Sequence, residues 1–134
     1  MLTPGWDTIR LFLHVLAATV WVGGQLTLVG LVPGARAIDP GLPAALARRF
    51  AKLSWPAFAV LVVTGIWNIV AVDPSSQSRA WRVTLSVKVI VVVISGLSAW
   101  LHSRSRSRPG LAFWGGVSGL SALTALFLGV LLAG

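Results

Sequence analysis

Four long apolar runs, Ile9–Leu31, Leu53–Val72, Val83–Leu101 and Leu111–Ala133, constrain this chain more than anything else in it. Each reaches about 20 residues, the length that crosses the hydrocarbon core of a bilayer. No water is available there, so every backbone N–H and C=O must be satisfied within the segment or in a closed barrel. Runs this long and continuous read as helices. Four of them on short linkers predict an all-α fold, a four-transmembrane-helix up-down-up-down bundle forming one domain over residues 1–134. The first run lacks a basic leader and further spans follow it, so it reads as a retained span rather than a cleavable signal.

Composition closes several other routes. The chain is 56% hydrophobic and only 10% charged, too little charge to cover a soluble domain of 134 residues. There is no Cys, and the single Met is Met1, so disulfides, thiolate metal sites and a thioether copper track are all excluded. A net charge of +8 raises the question of nucleic acid. The basic residues sit in short linkers between apolar runs, where they set topology, and no nucleic-acid partner is expected.

The linkers carry helix-breaking residues: Pro33, Gly34, Pro40, Gly41 and Pro43, then Asp73, Pro74 and Ser75, then Pro109 and Gly110. Within the first, Ala44–Lys52 reads as a short amphipathic helix at the interface. Pro56 then falls in the first turn of the second span, where proline is tolerated. Arg36, Arg48, Arg49, Lys52, Arg104, Arg106 and Arg108 lie in the first and third linkers, against Arg10, Arg79 and Arg82 at the other side. The excess predicts that the first and third linkers are cytoplasmic and that both termini lie on the non-cytoplasmic side of the plasma membrane. Trp6, Trp55, Trp81, Trp100 and Trp114 fall near the expected span ends and suit an aromatic belt. Gly23, Gly24, Gly65, Gly115 and Gly119 read as helix-packing positions, the last two as a GxxxG pair on the fourth span.

Three polar groups stand inside the spans. His14 lies four residues past Arg10 and Asn68 four before Val72, each roughly 6 Å from its span end, and Lys88 lies roughly 9 Å past Arg82. The predicted topology puts all three on the non-cytoplasmic side. Lys88 either snorkels outward along its stem or faces a cavity, and no span supplies an Asp or Glu to pair with it. His14, Ala18, Trp21 and Gln25 share one helical stripe. His14 is either a packed residue bonded to Asn68, Thr64 or a backbone carbonyl, or a neutral imidazole ligand for a metal or haem. His102, at the opposite end of the third span, reads as a solvated interfacial residue beside the Arg104–Arg108 run, which suits lipid headgroups. No nucleophile–base pair, carboxylate dyad or phosphate loop is visible, which weighs against an enzyme while leaving the question open.

FLHVLAATVWVGG (Phe12–Gly24), RRFAKLSWPAFAVLVVTGIWN (Arg48–Asn68) and WRVTLSVKVIVVV (Trp81–Val93) resemble, in order, the first three segments of the copper-resistance protein D (CopD-like) membrane domain. His14, Trp21, Gly23, Gly24, Thr64, Gly65 and Lys88 are the matching positions. The resemblance covers roughly the first 100 residues, and the fourth span matches only as a hydrophobic helix. It implies copper binding, uptake or resistance at an outward-facing site, with His14 as ligand and Trp21, Gln25, Thr64, Asn68 and Lys88 lining it. Copper or a periplasmic copper carrier would be the partner, besides the lipid bilayer. A more distant similarity to HemJ-type protoporphyrinogen oxidases implies the alternative of haem b on His14, with Lys88 and Arg82 or Arg10 holding propionates. A third expectation is a structural or accessory subunit, docking a second copy or another membrane protein through the fourth helix.

Overall fold

The structure is a computed structural model and describes residues 2–134. It is helical, with no strand among the described residues. Helix α1 (Trp6–Ala18) runs through a π-helical turn (Thr19–Gly23) into α2 (Gly24–Ile38). Then come α3 (Leu42–Val72), a 3-10 turn at Pro74–Ser76, α4 (Arg79–Arg104) and α5 (Arg108–Ala133). Four continuous helical stretches, Trp6–Ile38, Leu42–Val72, Arg79–Arg104 and Arg108–Ala133, are long and apolar enough to cross a membrane. The chain divides into two compact units, Met1–Asp73 and Pro74–Gly134.

The first unit is the hairpin of α1–α2 against α3. Two features of the expected first linker are corrected. Pro33 does not end the first helix, which continues to Ile38. A proline costs one backbone bond and a clash with the carbonyl four residues back, which helices in lipid tolerate when neighbouring groups compensate. Ala44–Lys52 is not a separate interfacial helix either. The chain turns at residues 39–41, where Asp39 Oδ1 accepts the Gly41 N–H at 2.6 Å. Pro43 then starts α3 in its first turn, and nothing interrupts the helix before Val72. Pro56 therefore lies in the interior of α3, as does Trp55. Asp73, at φ 51°, closes α3 in the left-handed region that Asp visits more readily than most residues.

The second unit is the α4–α5 hairpin. Each helix opens on a serine cap: Ser78 Oγ accepts the Trp81 N–H at 3.1 Å, and Ser107 Oγ accepts the Gly110 N–H at 3.2 Å. The seam between them is made of small residues. Ser95, Gly96, Ser98, Ser118, Ala122 and Ala125 are buried along it. Ser95 and Ser118 bond reciprocally, each hydroxyl donating to the other's carbonyl at 3.2 Å. Small side chains bring backbones close enough for such bonds, which is how helices associate where lipid offers no hydrophobic driving force. Trp81 Nε1 donates to the Leu132 carbonyl at 3.3 Å at one end, and His102 Nδ1 lies 2.8 Å from the Leu111 carbonyl at the other. A carbonyl only accepts, so His102 Nδ1 carries the proton. The expected solvated His102 is instead half-buried and tied to α5.

The glycines differ in what surrounds them. A Cβ at Gly24 would collide with the Phe50 ring, and one at Gly115 would stand 3.1 Å from the His102 ring. At Gly65 it would meet His14 at an ordinary 3.5 Å. At Gly23 and Gly119 it would meet no described atom of its own unit within 4 Å.

Candidate functional site

In the first unit, α1 and α3 run antiparallel, and His14 meets Thr64 across the seam. His14 Nδ1 lies 2.9 Å from Thr64 Oγ1. Thr64 is buried, at 3% exposure, and its hydroxyl back-bonds to the Val60 carbonyl at 2.7 Å. A hydroxyl has one proton to donate. With that proton on Val60, Thr64 Oγ1 accepts from His14, which puts the imidazole proton on Nδ1 and the ring lone pair on Nε2. An outer partner that holds a histidine tautomer and ring orientation in this way is the common arrangement behind metal-ligating imidazoles. The bond to Thr64 is among those the sequence allowed His14.

One turn toward the N-terminal end of this seam lie Arg10 and Asn68. Antiparallel register places residue 10 level with residue 68 when 14 stands against 64. Asn68 Oδ1 is buried and has no hydrogen-bond partner among the described residues. Arg10 is only 6% exposed. Its Nη2 reaches Asp7 Oδ1 at 3.0 Å, while Nε and Nη1 are buried without partners. A buried polar atom left unpaired costs about 1–3 kcal/mol, more for a charged group, so such atoms need a physical reason. Sequence reasoning had placed Arg10 among the topology-setting charges. Its helical spacing was the available signal: Arg10, His14, Ala17 and Trp21 are at i, i+4, i+7 and i+11, and Arg10, Ala17 and Trp21 are buried.

Trp21 lies further along the same helix, inside the π-helical turn, at 3% exposure. Its ring centroid is 4.4 Å from that of Phe58 and 5.5 Å from that of Trp55. The wide turn buries two successive residues, Trp21 and Val22. Thr19 Oγ1 donates to the Val15 carbonyl and Thr27 Oγ1 to the Gly23 carbonyl, each at 2.8 Å, on the two sides of the turn. π turns inside α-helices are frequent at functional sites. Gln25 belongs to this deeper region. Eleven residues separate it from His14, roughly 16 Å of helix, so the two do not share a layer.

Lys88 belongs to the second unit. Its Nζ lies against α5, where a Cβ at Gly129 would be 3.0 Å away. The other described seam pairs, such as Trp81 with Leu132 and His102 with Leu111, place residue 125 opposite residue 88. Gly129 is one turn nearer the end of α5, so the Lys88 stem runs roughly 6 Å toward the span end. The ammonium thereby approaches the negative pole of the α5 dipole.

No group of three or more His, Cys, Asp or Glu that could hold a metal ion occurs among the described residues. The chemistry available at the His14 layer is one imidazole lone pair, a guanidinium and an amide oxygen.

The copper resistance protein D family model matches residues 44–133, which is well over half of the chain. The chain belongs to the copper resistance protein D family. The matched region takes in Thr64, Gly65, Asn68 and Lys88 and all of α4 and α5. The fourth span, which resembled the family only in being hydrophobic, is thus part of the match, whereas Phe12–Gly24 with His14 lies before it. No curated protein and no solved structure gave a match to the chain. Membership in the copper resistance protein D family, with four helices able to cross a bilayer, makes this a multi-pass membrane protein related to copper resistance.

Proposed function

We propose that this copper resistance protein D member takes copper as a transient cargo at the N-terminal end of its first unit, with His14 Nε2 as the ligand. The observation that carries the reading is the Thr64–His14 bond, which presents a lone pair on Nε2 in a family linked to copper resistance. Imidazole suits copper among the ligands this chain has to offer. A single imidazole holds a metal loosely, which fits passage better than storage, and the remaining ligands would come from water or from a periplasmic copper carrier. The basic linkers favour a topology in which both termini, and so the His14 end, face the non-cytoplasmic side. Trp21, Thr64 and Asn68 shape and orient the site in this reading.

The test is metal analysis with an absorption spectrum on detergent-purified protein and its His14→Ala variant. Copper that is bound by the wild type and lost in the variant, without a Soret band, is the expected result. A Soret band lost in the variant would replace copper by haem, and no His14-dependent metal would sink both.

A further inference from the structure

The two sets of orphaned atoms in the α1–α3 seam want opposite things. Arg10 Nε and Nη1 are donors on a cation and need an oxyanion. Asn68 Oδ1, at the same level, is an acceptor and needs an N–H or O–H. Arg10 has one described acidic partner, Asp7, whose side chain is 84% exposed and engages only Nη2. One water could bridge the donor and the acceptor, but a ligand that neutralises the buried guanidinium as well carries a negative oxygen for Arg10 and a hydrogen donor for Asn68 a few bonds apart.

Directly below this polar end runs an apolar groove of about 320 Å³, lined by Leu13, Ala59, Val60, Val63, Thr64 and Trp67. Its lining residues Leu13 on α1 and Thr64 on α3 lie about one turn from Arg10 and Asn68. It continues to Ala59, roughly 12 Å deeper along α3. Polar need at the end and an apolar trough beneath it is the profile of one class of molecule. Arg10 is four residues into its span, roughly 6 Å from the helix start, close to where headgroups begin.

We propose that this seam holds one phosphoethanolamine lipid. Its phosphate would sit on Arg10, its primary ammonium on Asn68 Oδ1 and one acyl chain in the groove. The proposal shares Thr64 and Asn68 with the copper reading but does not rest on it, and its test runs without copper. Phosphocholine lipids share the phosphate, but their quaternary ammonium has no N–H for Asn68. The headgroup chemistry separates the two.

The experiment is a titration of delipidated, detergent-purified protein with phosphatidylethanolamine and with phosphatidylcholine. It is read by thermal unfolding and by the lipid retained in native mass spectrometry, with no copper present. Wild type should bind phosphatidylethanolamine at least about tenfold more tightly, the worth of one charge-assisted hydrogen bond. Arg10→Gln should lose both lipids, and Asn68→Leu should keep binding but lose the preference. If Arg10→Gln does not fold, Arg10→Lys keeps the charge, loses the planar donor array and should weaken both lipids. Equal binding of the two lipids by wild type, or undiminished binding by the Arg10 variants, overturns the proposal. O-phosphoethanolamine and inorganic phosphate test a soluble ligand of the same chemistry. Either one binding as tightly as the lipid would make the occupant a free phosphate compound and overturn the lipid assignment.

Discussion

Gly129 of α5 leaves the space beside which the Lys88 ammonium lies, its absent Cβ falling 3.0 Å from Nζ and 3.6 Å from Cε. The glycine and the lysine form a pair across the second hairpin, and the lysine stem leads along the seam toward the span end. Lys88→Met should therefore leave the protein as stable or more stable, by up to about 2 kcal/mol, because it removes a charge that is costly in lipid. Gly129→Leu should destabilise by about 1–3 kcal/mol through overpacking. Reversible unfolding in bicelles measures both. His14-dependent metal occupancy should be unchanged in Lys88→Met, and a loss of metal would show that the ammonium takes part in binding.

Thr64 carries the tautomer of His14. Thr64→Val keeps the shape but removes the acceptor, leaving the imidazole Nδ1 without this partner. Copper affinity should fall about 10- to 100-fold, the usual effect of losing such an outer partner. Thr64→Ser keeps a hydroxyl and should hold affinity near wild type. Isothermal titration with Cu(I) or Cu(II) under controlled redox conditions compares the three. Equal affinity in Thr64→Val would remove the hydroxyl from the account.

Much of the architecture was legible because it rests on run length. Twenty apolar residues can do little else in a bilayer, and all four spans appear as helices. The span ends were less legible because proline is weaker punctuation there than in water. Pro33 and Pro56 both sit inside helices, so the first helix runs seven residues past Leu31 and α3 begins eleven before Leu53. Trp55, one residue before Pro56, is in ring contact with Trp21. At the candidate site, His14 stood out as an ionisable group in an apolar run. Arg10 did not, because an arginine at a span end has an ordinary explanation in topology. Its burial depends on partners far away in sequence, which periodicity alone does not supply.

The two adjacent glycines of the first helix make opposite demands. Gly24→Ala forces a methyl into the Phe50 ring and should cost about 1–3 kcal/mol. Gly23→Ala meets open space and should be neutral or stabilising by up to about 1 kcal/mol, the helix propensity difference. Thermal unfolding of the two single variants is sufficient, and equal losses would contradict the geometry.

The reciprocal Ser95–Ser118 pair should behave as a coupled unit. Each serine to alanine should cost about 0.5–1.5 kcal/mol, in the range measured for polar contacts between membrane helices. The double variant should cost less than the sum, since either single change already breaks one arm of the exchange. Strict additivity in a double-mutant cycle would mean that the two hydroxyls act independently.

The π-helical turn at Thr19–Gly23 makes the first helix a counting device. His14 and Arg10 precede the wide turn, and Gly24, fitted to Phe50, follows it. The wide turn absorbs about one extra residue, so removing one residue from it would restore an unbroken α-helix and leave the two halves on nearly their present faces. Removing a residue from the regular α-helix on either side meets no such slack and would swing one half by roughly 100° relative to the other, so that the polar end and the glycine contact could no longer face α3 together. Where a residue is lost matters here as much as which one it is.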